Sequence, residues 1–101
     1  MEGSATVYTT PVVTFHARQR SRQRGVSARQ IALVRAHGRR HYGRGATHYF
    51  FGRREAARHR AILGRETEGL EGIVVVIGFN GDVLTVYRND RAAKYLRRGI
   101  C

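Results

Sequence analysis

Tryptophan is absent from the chain, and proline and cysteine occur once each, as Pro11 and Cys101. A lone thiol closes no internal disulfide, so the fold has to be held by its core. A cytoplasmic setting is the simpler expectation. One proline excludes a proline-rich linker or ligand segment. No apolar run approaches the ~20 residues of a membrane span; the longest, Ile73 to Ile77, has the length of a strand. The first ten residues hold Glu2 and no basic cluster ahead of an apolar stretch, so no signal peptide is expected. No helix pattern carries large aromatics on an apolar face, which ranks a membrane surface last among partners. Acids are scarce, seven in all, and no two have the spacing of a glycosidase or nuclease pair.

What the chain has is positive charge. Lysine and arginine total 19 against those 7 acids, a formal +12, and every one of the 19 except Lys94 is arginine. Arginine presents a planar fork of donors that matches phosphate and stacks on bases. A domain of this charge attracts polyanions at long range. RNA is the partner expected first; DNA and an acidic protein are the other candidates ahead of an anionic membrane. At 101 residues and 42% apolar composition the chain fits a single domain, 1–101, with one modest core. Residues 1–10 are polar and β-prone and are expected to fray.

Pro11 introduces Val12, Val13 and Thr14, readable as a short edge strand. Thr14 N-caps a helix from Phe15 to Arg24 that Gly25 ends. Ser27 opens a second helix through a capping box with Gln30, and Gly38 closes it. Arg39 to Gly45 is basic and glycine-spaced, either a mobile loop or the start of a twisted strand. Thr47 to Phe51 reads as a strand, Arg53 to Leu63 as a third helix or a longer arm, and Gly64 to Gly72 as a loop with Glu66, Glu68 and Glu71. Asn80-Gly81 predicts a two-residue hairpin turn between Gly72–Phe79 and Asp82–Arg88. That register pairs Phe79 with Asp82, Ile77 with Leu84, Val76 with Thr85 and Val74 with Tyr87. One face then holds Ile73, Val75, Ile77, Leu84 and Val86, the other Val74, Val76, Thr85 and Tyr87. Both are largely apolar, which places the hairpin centrally in its sheet. A last helix, Asp90 to Arg98, would start from Asn89 or Asp90. The class is α+β: N-terminal helices packed on a small antiparallel sheet with a central C-terminal hairpin.

His16, Arg20 and Arg24 recur every fourth residue and line one face of the first helix. Such a stripe repels itself unless an anion sits on it, which makes it a candidate phosphate site; the bland alternative is a solvated basic face. Arg39, Arg40, Arg44, Arg53 and Arg54 are the further candidate nucleic-acid contacts. His37 and His41 are four apart, but Gly38 breaks the helix between them and no cysteine or acid completes a zinc set, so no metal and no cofactor is expected. His48, Tyr49, Phe50 and Phe51 alternate between two faces. Core is the safer reading for both pairs, and base stacking the alternative.

His16-Ala17, Arg20 and Arg24-Gly25-Val26-Ser27 leading into a helix, with Ile73 to Ile77 and later Val83-Leu84-Thr85-Val86-Tyr87-Arg88, resemble the pattern of the family called domain of unknown function 4258. The resemblance runs from about Thr14 to Asn89. That family is similar to the barnase–RelE–colicin group of small ribonucleases and toxins. The resemblance therefore implies a RelE/barnase-like fold and a toxin-like, metal-independent ribonuclease neutralised by an acidic, antitoxin-like partner. On that basis His16 is the expected base or acid, Arg20 and Arg24 stabilise the phosphate, Arg88 makes a second phosphate contact, and Thr85 and Tyr87 support from the sheet. The stretch Arg53 to Gly69 is longer than the resemblance implies between the middle and final strands.

Two other functions fit the same charge: a nucleic-acid-binding module without chemistry, and a phage- or plasmid-type protein that binds an acidic host protein. An acid beside the helix stripe would favour an enzyme, and none lies there in the sequence.

Overall fold

In the computed structural model of the protein, residues 13–89 are described. The expected fraying of 1–10, Pro11 and Val12 at the start of the expected edge strand, the helix Asp90 to Arg98 and Cys101 lie outside them; of that strand Val13 makes a single bridge and Thr14 caps a helix. Among these residues, four helices and four strands follow in the order α1 (Phe15–Gln23), α2 (Ala28–His37), β1 (Arg39–Gly43), β2 (Ala46–Phe51), α3 (Arg53–Leu63), α4 (Glu66–Leu70), β3 (Ile73–Gly78), β4 (Val83–Arg88). The strands form one antiparallel meander in the order β1-β2-β3-β4. The fold is α+β, with the N-terminal helices packed on this sheet.

The helix starts obey local chemistry. Thr14 Oγ1 accepts from Ala17 N at 3.1 Å, taking one of the orphan amides of α1. In α2 the reciprocal pair forms: Gln30 N donates to Ser27 Oγ at 3.1 Å and Ser27 N to Gln30 Oε1 at 2.9 Å. α2 stops at Gly38, where a Cβ would collide with the Val34 carbonyl. The chain turns extended there and enters β1, so Arg39–Gly43 takes the strand alternative. The acidic stretch Gly64 to Gly72 is not all loop: Glu66–Leu70 is a short helix, tied to α2 by Arg29, which grips Glu66 from Nε at 2.5 Å and Nη2 at 2.9 Å. That pair is exposed and screened by salt.

The sheet has two buried faces. Toward the helices, Ile73, Val75, Ile77, Val83 and Val86 pack with Phe51, Leu70, Ile31, Val34 and Ala17. On the far side Ala46, Phe50, Val74 and Val76 form a second cluster, with Tyr87 against it. β3 is buried on both sides, which is why it reads as an unbroken Ile-Val-Val-Val-Ile run rather than an alternating one. Each fully buried side chain of this size contributes roughly 1.5–3 kcal/mol.

Two sequence expectations need correction. The β3–β4 loop has three residues, Phe79 to Gly81, not two: Gly78 N donates to Asp82 O at 2.9 Å and Gly81 N to Gly78 O at 2.9 Å. Of this turn only Gly81 has positive φ, 91°. The extra residue is absorbed by an irregularity at Val76/Ile77, so Ile77 pairs with Val83 rather than Leu84. Leu84 is consequently exposed and Val83 takes its place in the core. Farther on the expected register holds, with Val76 opposite Thr85 and Val74 opposite Tyr87. The hairpin is also not central as a whole: β3 is interior, but β4 ends the described sheet, extended only by an isolated parallel bridge from Val13 to Val83.

Candidate nucleic-acid interface and active site

α1 lies along β4 on the helix side. Its start is pinned by Thr14 N to Val83 O at 3.1 Å, and its end by Arg24 Nη1 to Val86 O at 2.8 Å. Arg88 reaches back from the strand, with Nη1 donating to Gly69 O at 3.2 Å and Nε to Arg24 O at 3.5 Å. Arg24 and Arg88 therefore do meet, but as a clasp of backbone carbonyls joining α1, α4 and β4. Arg20 donates to Gln23 Oε1 at 3.0 Å, and His16 is exposed in the first turn.

Thr85 and Tyr87 face the other way. Tyr87 packs on the far-side cluster, and the alternation of β4 puts Thr85 on that same side. The structure thus parts the two halves of the expected groove: the α1 stripe on one side of the sheet, Thr85 and Tyr87 on the other.

On the far side the pairing register builds two rows across the four strands. One runs His41, His48, Val76, Thr85; the next runs Arg39, Phe50, Val74, Tyr87. His41 and His48 are paired across β1 and β2 by the tight turn at Arg44-Gly45, where both residues have positive φ, 54° and 73°. This is the two-residue primed geometry. Cross-strand partners of this kind hold their Cβ atoms roughly 4.5–5.5 Å apart.

Glu55 closes the group. It is the third residue of α3, 3% exposed; its Oε1 accepts from Gly52 N at 2.9 Å, and its Oε2 lies 3.3 Å from Arg39 Nε. The Arg39 contact is one of charge and not an aligned hydrogen bond, since Arg39 Nε has no hydrogen-bond partner. His41 Nε2 and His48 Nδ1 are likewise buried without one. Buried polar atoms in this state are uncommon and costly, and here three nitrogens belong to neighbouring residues of one sheet face.

Burial, then the Arg39 charge, hold the His41 imidazole below its ordinary pKa, with Glu55 working the other way. Burial also lowers His48, opposed by a hydrogen bond with the His41 backbone. His41, His48 and Glu55 were not singled out from the sequence as a site. The signal was present: a turn centred on Arg44-Gly45 sets residue 41 opposite 48.

Among the described residues, two ion pairs form, Arg29–Glu66 and Arg39–Glu55. Arg40, Arg44, Arg53 and Arg54 are exposed and make no ion pair among the described residues. Arg53 and Arg54 occupy the first turn of α3, where a positive charge opposes the helix dipole. No three histidine, cysteine or acidic side chains among the described residues gather closely enough to hold a metal ion, and no helix there is long and apolar enough to cross a membrane. In comparisons with known proteins, no family model, curated protein or solved structure matches the chain.

Proposed function

We propose that the protein binds RNA through its unpaired arginines and cleaves it at the far face of the sheet, around Arg39, His41, His48 and Glu55. The observation that carries this reading is the set of three buried, unpartnered nitrogens on adjacent residues of one face, beside exposed arginines. A phosphodiester would offer acceptors to Arg39 Nε and to a protonated imidazole, and the neighbouring 2′-hydroxyl would offer a donor to a neutral one. In the reaction the RNA 2′-hydroxyl attacks phosphorus while a neutral imidazole takes its proton. The bond to the 5′-oxygen breaks as a protonated imidazole returns a proton to it, leaving a 2′,3′-cyclic phosphate. Depressed histidine pKa values suit the base. Glu55 draws His41 toward protonation against burial and the Arg39 charge, and in this proposal His41 is the acid. Arg39 neutralises the added charge on phosphorus, and Thr85 and Tyr87 extend the same two rows.

This assignment replaces the α1 stripe as the centre of the chemistry, because Arg24 and Arg88 spend donors on backbone carbonyls. A RelE/barnase-like, toxin-type ribonuclease held by an acidic partner, and membership of the domain 4258 family, remain part of this proposal. The test is incubation of purified protein with single-stranded RNA in EDTA. Cleavage that His41→Ala and His48→Gln each reduce by ~100-fold or more, while His16→Ala leaves it intact, is the expected result.

A binding module without chemistry is the second reading. It is favoured by the depth of His48, 6% exposed, which suits a structural side chain. RNA binding without any cleavage would select it.

A further inference from the structure

We propose that the turn end of the sheet is a stacking platform for the unpaired bases of single-stranded RNA, formed by Tyr42, Phe79 and Phe15 with Arg44 as its cation. This rests on the RNA-binding reading above and adds the class of RNA. Scattered exposed apolar residues are ordinary. Here four of them share one end of the fold, spread across the sheet from β1 to the start of α1. Of the five large hydrophobic side chains exposed among the described residues, Phe79 (96%), Phe15 (76%), Tyr42 (74%) and Leu84 (40%) belong to one end of the fold, and Ile62 alone does not.

The topology brings them there. Ala46 pairs with Gly78, so the Arg44-Gly45 and Phe79-to-Gly81 turns sit side by side. Tyr42 is the penultimate residue of β1, in register with Thr47 and through it with Ile77. The Val13–Val83 bridge and the Thr14 Oγ1 bond to Leu84 O, 3.3 Å, set the first residue of α1, Phe15, at that same end.

Charge selects the occupant. Arg44 is exposed, and Arg18 sits nearby with Nη2 3.5 Å from Val13 O. The described acid at this end, Asp82, is engaged by Asn80 Nδ2 at 3.1 Å. Arg44 is moreover the single non-glycine residue with positive φ among those described, 54°. Glycine, asparagine or aspartate would occupy that position at lower cost, so the arginine is held there against local preference. Aromatic faces interleaved with arginine are what unstacked bases and their phosphates recognise. In a duplex the faces of the bases are already stacked on one another, so only single strands gain from such a surface.

The experiment measures anisotropy of the full-length protein with two labelled probes at one salt concentration: an oligouridylate of about 12 nucleotides, within the usual range of single-strand sites, and a duplex RNA of the same length. Tyr42→Ala with Phe79→Ala should weaken the oligouridylate on the order of tenfold or more and the duplex no more than about twofold. Arg44→Asn should weaken both probes while raising the melting temperature, because the new residue relieves the turn. Equal losses on both probes in Tyr42→Ala with Phe79→Ala, or none, overturn the platform; so does full affinity in Tyr42→Leu with Phe79→Leu, which keeps apolar area without a ring. A wild-type dimer that Phe79→Ala dissolves assigns the surface to a second copy of the chain and also overturns it. Wild-type protein that binds neither probe removes the RNA reading as well, whereas wild-type binding untouched by the substitutions removes the platform alone.

Discussion

His41 stands directly opposite His48 across β1 and β2, and both imidazoles are held below their ordinary pKa by burial. The groups facing them are Arg39, which disfavours protonation of His41, and Glu55, which favours it.

This pair makes stability depend on pH in a definite direction. With folded pKa values depressed, the unfolded chain binds more protons than the folded one as pH falls through the ordinary histidine range. Stability is therefore complete above that range and is lost on acidification through the folded values. Urea melts between pH 7.5 and 5 should show a decline that is shallower in His48→Gln and shallower still when His41→Gln is added. Equal slopes in all three proteins would mean that the two histidines titrate as they do unfolded.

Glu55 holds Gly52 N with one oxygen and faces Arg39 Nε with the other, almost wholly out of solvent. Removing it strands an amide and leaves a half-buried guanidinium without its counter-charge. Glu55→Ala should cost about 2–3 kcal/mol, which in a domain of this size lowers the melting temperature on the order of 10 °C. Glu55→Gln keeps an acceptor for Gly52 and should lose less. A melt indifferent to the alanine variant would show that Arg39 finds another partner.

The observed β3–β4 turn needs positive φ at Gly81 and not at Asn80. Gly81→Ala should therefore destabilise by roughly 1 kcal/mol. Asn80→Ala, losing only exposed bonds to Asp82 N and Oδ2 at 3.1 Å each, should cost a few tenths. Comparable losses at both positions in thermal melts would mark the two-residue primed turn instead.

That turn shows where sequence reasoning reaches and where it stops. Capping at Thr14 and Ser27, the helix end at Gly38 and the β3 run are local chemistry, and each was legible as such. Asn80-Gly81 was correctly read as a hairpin, but a turn of two and a turn of three share those residues, and the added residue moved Leu84 out of the core and Val83 in. The primed turn formed instead at Arg44-Gly45, where an arginine masks the signal. The candidate site was hidden for a related reason. His41, His48 and Glu55 come from a strand, the strand paired with it and the helix that follows, and only the register brings them to one face. The α1 stripe was legible as a helix face, yet helical spacing does not tell which carbonyls its arginines will meet.

The exposed arginines offer a last test, since stability and RNA affinity should move in opposite directions. Arg53 and Arg54 sit in the first turn of α3, where the helix dipole disfavours them, and Glu55 in the same turn is already committed to Gly52 and Arg39. Replacing both by glutamine removes a repulsion worth about 0.3–1 kcal/mol per charge, so the melting temperature should hold or rise. If these residues and Arg40 touch phosphates, the same change weakens RNA. With about six phosphate contacts on a single strand, the plot of log affinity against log salt should slope near −4, and each lost contact should flatten it by about 0.7. Arg24→Gln is the contrast, because its donor to Val86 O is structural: it should lower the melting temperature and leave the slope unchanged. An affinity flat in salt would sink the polyanion reading, and a slope that Arg24→Gln flattens as much as Arg53→Gln would return the α1 stripe to the interface.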